Sequence, residues 1–150
     1  THLQKQIKEQ ALAWSLGLSW PREIEKINIL QATVLGMCRA IQQLSIKPAF
    51  IAIDGNQPLP LSIPHQCFVQ GDKNYPIISA ASVLAKTFRD HLMLHLDRRY
   101  PGYGFAKHKG YGTKKHVQAI AKLGPCPLHR MTFRPLRKEI KEVNLCLPGI

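Results

Sequence analysis

The sequence predicts a single α/β domain. Two long segments, 21–46 and 77–100, carry apolar residues at spacings of three and four, as amphipathic helices do. Between them lies an unbroken apolar run, Ala49 to Ile53, too short for a helix and without polar alternation. Such a run reads as a strand covered on both faces. A length of 150 residues suits one hydrophobic core and leaves little room for a second, so residues 1–150 are read as one domain.

The chain opens at Thr1 rather than Met, with Leu3, Ile7, Ala11 and Trp14 already at helical spacing. It is therefore expected to begin inside an element, as an N-terminally truncated chain. No apolar h-region with a small-residue cleavage site precedes it. After SLGLSW, Pro21 suits a first helical turn. Ile27, Leu30, Val34, Met37, Ile41 and Leu44 then mark one core-facing stripe, and the helix must stop by Lys47 because Pro48 disfavours helical backbone before it.

The strand ends in Asp54, followed by Gly55 and Asn56. A carboxylate at the end of a buried strand is costly unless exposed, paired or bound to a cation. Asp54 is equally well accounted for as a turn residue. Pro58, Pro60 and Pro64 keep the next stretch in a loop, Cys67 to Val69 form a short edge strand, and Gly71-Asp72 turn the chain, Asp72 as a loop residue.

In the helix over 77–100, Ser79 is the expected N-cap. Val83, Leu84, Phe88, Leu92 and Leu96 form the buried side. Ser79, Ser82, Lys86 and Asp90 follow one another on a different, polar stripe. Taken alone, that stripe reads best as a solvated face with a Lys86/Asp90 pair. It also has the chemistry to meet a phosphate through its hydroxyls and Lys86, and a metal through Asp90.

The stretch YPGYGFAKHKGYGTKKH mixes Gly, Tyr, Lys and His. Its glycines permit tight turns, while Lys107, His108, Lys109, Lys114 and Lys115 offer donors to phosphates. The aromatics either stack on sugars and bases or pack the loop onto the core, and packing is preferred for Phe105. The spacing matches neither a P-loop nor a dinucleotide-binding turn. Thr113 caps a helix through Leu123, ended by Gly124 and Pro125. An irregular basic segment follows, with His129, Arg130 and Arg134 available to a phosphate backbone.

Lys and Arg total 21 against 9 Asp and Glu, a net charge of +12. Basic residues spread over folded segments point to a surface for polyanions, nucleic acid first. Cys38, Cys67, Cys126 and Cys146 contain no CxxC pair and suit reduced thiols in a cytoplasmic protein. Cys126-x-x-His129 and His65-x-Cys67 lack second halves, so zinc is not the expectation. No apolar run is long enough to span a bilayer.

Six separated blocks, INILQAT (27–33), IDGN (53–56), GD (71–72), ISAASVLAKTFRD (78–90), YGFAKHKGYGT (103–113) and GPCPLHRMTF (124–133), resemble the ribonuclease HII family in order and separation. The resemblance reaches about Leu136. It implies a ribonuclease H-like fold, a mixed β-sheet flanked by helices. It also implies an endonuclease that hydrolyses the RNA strand of RNA–DNA hybrids and cuts at ribonucleotides embedded in duplex DNA, using Mg²⁺ or Mn²⁺. Of the family's four metal-binding carboxylates, two carry over, as Asp54 and Asp90. Ser79, Lys86, Lys107, Lys109, His129 and Arg130 become the expected nucleic-acid contacts of a cytoplasmic monomer.

The other two carboxylates belong to an Asp-Glu-x-Gly-Arg-Gly motif that these 150 residues do not contain. Gln70 also stands where the family usually has a basic residue. The chain alone is therefore expected to be inactive or nearly so, its first strands missing. The competing expectation is a non-catalytic, basic nucleic-acid-binding remnant.

Overall fold

The computed structural model describes residues 2–132. Its elements run α1 (His2–Gln10), α2 (Pro21–Gln42), β1 (Ile51–Asp54), β2 (His65–Phe68), α3 (Gly71–Asn74), α4 (Pro76–Arg99), α5 (Phe105–His108) and α6 (Lys114–Leu123). The described residues divide into two compact units, one made of 2–19 with 29–89, the other of 20–28 with 90–132.

In the first unit β1 and β2 pair in parallel, Ile51 opposite His65 and Asp54 opposite Phe68. Among the described residues the sheet has these two strands only. Val34 and Cys38 of α2 pack with Ile53 and Leu59 to form its core. Ile53 is buried, whereas Ile51 and Ala52 are half-buried and Phe50 is exposed, so β1 is not fully covered as its composition suggested. Apolar sequence without alternation reports what a strand can tolerate, and a two-stranded sheet leaves part of it open. β2 begins two residues before Cys67, and Val69 lies outside it and exposed.

The stripe predicted along α2 is only half core. Val34 is buried and Met37 and Ile41 are partly so, but Ile27, Ile29 and Leu30 are exposed. Asn28 accounts for Ile27: its φ of 65° and ψ of 169° interrupt the helix, so Ile27 does not share a helical register with Val34, whereas Ile29 and Leu30 follow the break and are exposed in their own right. Before α2, the SLGLSW stretch lies along the helix rather than looping free. The Ser15 hydroxyl donates to the Ala40 carbonyl, Ser19 Oγ to Ala32 O at 2.7 Å, and Arg39 Nη1 to Leu18 O at 2.6 Å. A Cβ on Gly17 would sit 1.8 Å from Gly36 O, which leaves only glycine room for this approach. The pattern Leu3, Ile7, Ala11, Trp14 is not one helix face either: α1 ends at Gln10 and has no buried residue.

α4 matches the expected helix to within a residue, but Ser79 does not cap it. Pro76 occupies the first turn, where its missing N–H costs nothing, and Ser79 N–H already donates to Tyr75 O at 3.0 Å. α6 starts as expected, with Thr113 Oγ1 accepting from His116 N–H, and ends at Gly124 with φ 75°. The second unit's core is Leu96, Tyr103, Phe105 and Ile120, with Leu92, Met93 and Leu128 packed against it.

Candidate functional site

Asp54 stands where a strand hands over to a turn. β1 delivers its carboxylate to the strand's carboxyl end, where the residue is exposed and escapes the desolvation cost of a buried charge. Gly55 N–H donates to Phe68 O at 2.9 Å, continuing the parallel pairing past the strand end. The chain leaving β2 turns through Gln70 in left-handed backbone, and Gly71 N–H donates to Asp54 Oδ1 at 2.8 Å. One carboxylate oxygen is thereby oriented by the backbone, while the other keeps its lone pairs for a further ligand.

Gly71 allows this approach. It is buried, and a Cβ there would lie 2.7 Å from Ile78 Cδ1 and 3.1 Å from Phe68 Cβ. Asp72, expected in a loop, is in the first turn of α3. The sequence marks Gly71-Asp72 as a turn, but nothing local in it encodes the hold of Gly71 on Asp54. That hold depends on the register of β1 against β2.

α4 is continuous, so Ser79, Ser82, Lys86 and Asp90 keep the spacing of one helical stripe. Ser82 and Lys86 are exposed, and Ser79 and Asp90 half-buried. Asp54 belongs to the first unit and Asp90 to the second. Among the described residues no group of three or more His, Cys, Asp or Glu is arranged to hold a metal ion. The donor chemistry nevertheless fits Mg²⁺ or Mn²⁺, since carboxylate oxygens are hard ligands and such ions keep part of their shell as water.

In the second unit the basic stretch surrounds a histidine cluster that sequence reading did not assemble. Lys107 is exposed at α5, Lys109 half-buried just after it, and Lys114 and Lys115 exposed at the start of α6. Phe105 is buried beneath them, as expected, and so is Tyr103, whose hydroxyl donates to Gly124 O at 2.7 Å. Tyr111 is exposed. His108, expected among the phosphate donors, is occupied within the protein. Its Nε2 faces Tyr103 O at 2.7 Å and its Nδ1 accepts from Gly110 N–H at 3.2 Å.

His116 is buried in α6, its Nδ1 2.9 Å from Tyr111 O and its Nε2 3.0 Å from His129 Nε2. His129 in turn accepts from Cys126 N–H on Nδ1 at 2.9 Å. Burial holds His116 and His129 below the ordinary histidine range, and the charge of each neighbouring imidazole pushes the same way. Burial also pushes the Cys126 thiol up. The only forewarning in the sequence is that His108, His116 and His129 fall in and between the last two blocks. Arg130 follows His129 and is half-buried, while Phe133, Arg134 and Cys146 lie outside the described residues.

Comparison with known proteins bears on both units. The family described as ribonuclease HII matches residues 1–136. Ribonuclease HII of Nitratidesulfovibrio vulgaris (strain Hildenborough) is 51% identical over 149 residues, covering 90% of this chain and 66% of that protein. This chain thus spans just under two thirds of that relative's length. The crystal structure of the ribonuclease H2 from Pyrococcus horikoshii OT3 superposes with a TM-score of 0.78 at 21% identity, covering 95% of this chain and 75% of that one. The likeness shows the fold, of the ribonuclease H-like α/β class, to which the first unit contributes a parallel pair of strands.

Proposed function

The chain belongs to the ribonuclease HII family, and from that premise we propose that it is the larger part of an endonuclease acting on RNA–DNA hybrids and on ribonucleotides embedded in duplex DNA. The observation that carries the reading is Asp54, exposed at the end of β1 with one oxygen fixed by Gly71 N–H. A turn residue needs no such anchoring, whereas a metal ligand gains from it, because a preoriented carboxylate loses less freedom on binding.

In this reading Asp54 and Asp90 offer oxygen ligands to Mg²⁺ or Mn²⁺. When bound, the cation offsets charge on the scissile phosphate and activates water for its hydrolysis. The chain's own basic residues do the remaining work. Lys107, Lys109 and Arg130 attract and hold the phosphate backbone, and Ser79 and Lys86 offer further contacts along α4. A cytoplasmic, monomeric protein with reduced thiols is part of the same proposal.

The Asp-Glu-x-Gly-Arg-Gly motif would bring the other two carboxylates, and these 150 residues do not contain it. We therefore expect the chain by itself to cleave little or not at all. The test is incubation with a duplex carrying one embedded ribonucleotide, plus Mg²⁺ or Mn²⁺. Robust cutting that Asp90→Asn abolishes would show that two carboxylates suffice. If a chain extended to include the motif also failed to cut, the enzymatic reading would be wrong and a basic binding protein would remain.

A further inference from the structure

We infer that His116 and His129 are positioning residues: a neutral, directional pair that pins the 126–130 segment, and with it Arg130, to Tyr111 at the end of the stretch that carries Lys107 and Lys109. The inference rests on the nucleic-acid-binding reading and says how its basic surface is held in one arrangement.

Hydrogen-bond direction fixes both tautomers. Cys126 N–H donates to His129 Nδ1, so that nitrogen carries no proton and the neutral ring bears its proton on Nε2. That proton points at His116 Nε2, 3.0 Å away. His116 Nδ1 faces the Tyr111 carbonyl, which can only accept, so His116 is protonated on Nδ1 and offers a lone pair on Nε2. One polar chain therefore runs from the backbone at Cys126 through two imidazoles to the backbone at Tyr111. Besides the turn His129 N–H to Cys126 O, the segment between Pro125 and Arg130 has no regular structure to hold it.

Neither ring has room for a second proton. On His116 it would set two N–H groups face to face, and on His129 it would oppose the Cys126 N–H. The surroundings discourage it as well. From α5, the His108 ring stacks on His116 with centroids 4.1 Å apart, flanked in sequence by Lys107 and Lys109. From the core, the Tyr103 and Phe105 rings cover His129. From its own helix, His116 is in the first turn, beside Lys114 and Lys115, where the dipole's positive end disfavours a cation. The charges acting on the two rings are those of imidazoles, with no carboxylate among them.

The arrangement makes an unusual demand on pH. A surface that merely gains charge as histidines protonate binds polyanions more tightly in acid. One whose geometry depends on a neutral pair loses binding instead.

Long-range ¹H–¹⁵N spectra of the imidazoles in the whole chain test the pair directly. Expected are Nδ1–H on His116 and Nε2–H on His129, both neutral at pH 7.5. The opposite tautomer on either, or titration in the ordinary histidine range, overturns the inference. Affinity for an RNA–DNA hybrid, measured without divalent cations, tests the role. His116→Phe should weaken it about tenfold, the worth of one lost hydrogen bond, while His116→Gln, whose amide oxygen takes the His129 proton, should stay within about threefold. Unchanged affinity in His116→Phe, or equal loss in both variants, overturns the role. So does wild-type affinity that rises between pH 7.5 and 5.5. Failure of the wild-type chain to bind any hybrid removes the role together with the nucleic-acid reading. The expected tautomers in that same sample would then locate the failure in the reading rather than in the pair.

Discussion

His116 is buried and His129 half-buried, and burial holds both imidazoles below the ordinary histidine range, which ties the stability of their unit to pH. Both are held below their unfolded value, so the unfolded chain takes up protons first as the solution is acidified. Their contribution is complete above the unfolded histidine pKa of about 6.5 and is lost as pH falls through the depressed folded values. Urea unfolding between pH 8 and 5 should show stability dropping on the acid side of 6.5, and His116→Gln should flatten part of that slope. Gly71 makes a second single-residue prediction. Gly71→Ala should cost about 1–3 kcal/mol by overpacking against Ile78 and Phe68, measurable by denaturant midpoint. Asp54 could be singled out from its place after an apolar run. Its hydrogen-bond partner could not, because Gly71 meets it only once two strands have paired.

Among the elements, α6 was the most legible, since its start and stop are written in adjacent residues. Thr113→Ala should remove the bond to His116 N–H and cost about 1 kcal/mol, read from thermal or denaturant unfolding. The buried face of α4 was legible in part, since Leu84 and Leu96 are buried while Val83, Phe88 and Leu92 are half-buried. Its cap was not, because Pro76 and Ser79 are both acceptable starts and proline's preset φ favoured the earlier one. α2 shows where periodicity misleads. Its apolar residues keep their spacing in sequence across Asn28, but the backbone does not, and Ile27, Ile29 and Leu30 around the break are exposed.

For the whole molecule, the proposed hybrid binding together with a net charge of +12 predicts an affinity dominated by phosphate contacts that falls steeply with salt. The slope of log affinity against log salt should shrink by about one for Lys107→Ala, with affinity lost evenly across sequences. Equal slopes would remove Lys107 from the contact surface. The sequence by itself determined what is local and repetitive: helix faces, proline and glycine stops, the Thr113 cap, the basic character and the blocks that mark the family. Tertiary structure alone decided which groups meet. The Gly71 N–H on Asp54, the serines laid along α2 and the His116–His129 pair join residues 13 to 25 positions apart. Periodicity reports how one segment faces its surroundings, whereas a hydrogen bond between segments depends on register and direction that exist only after the chain has packed.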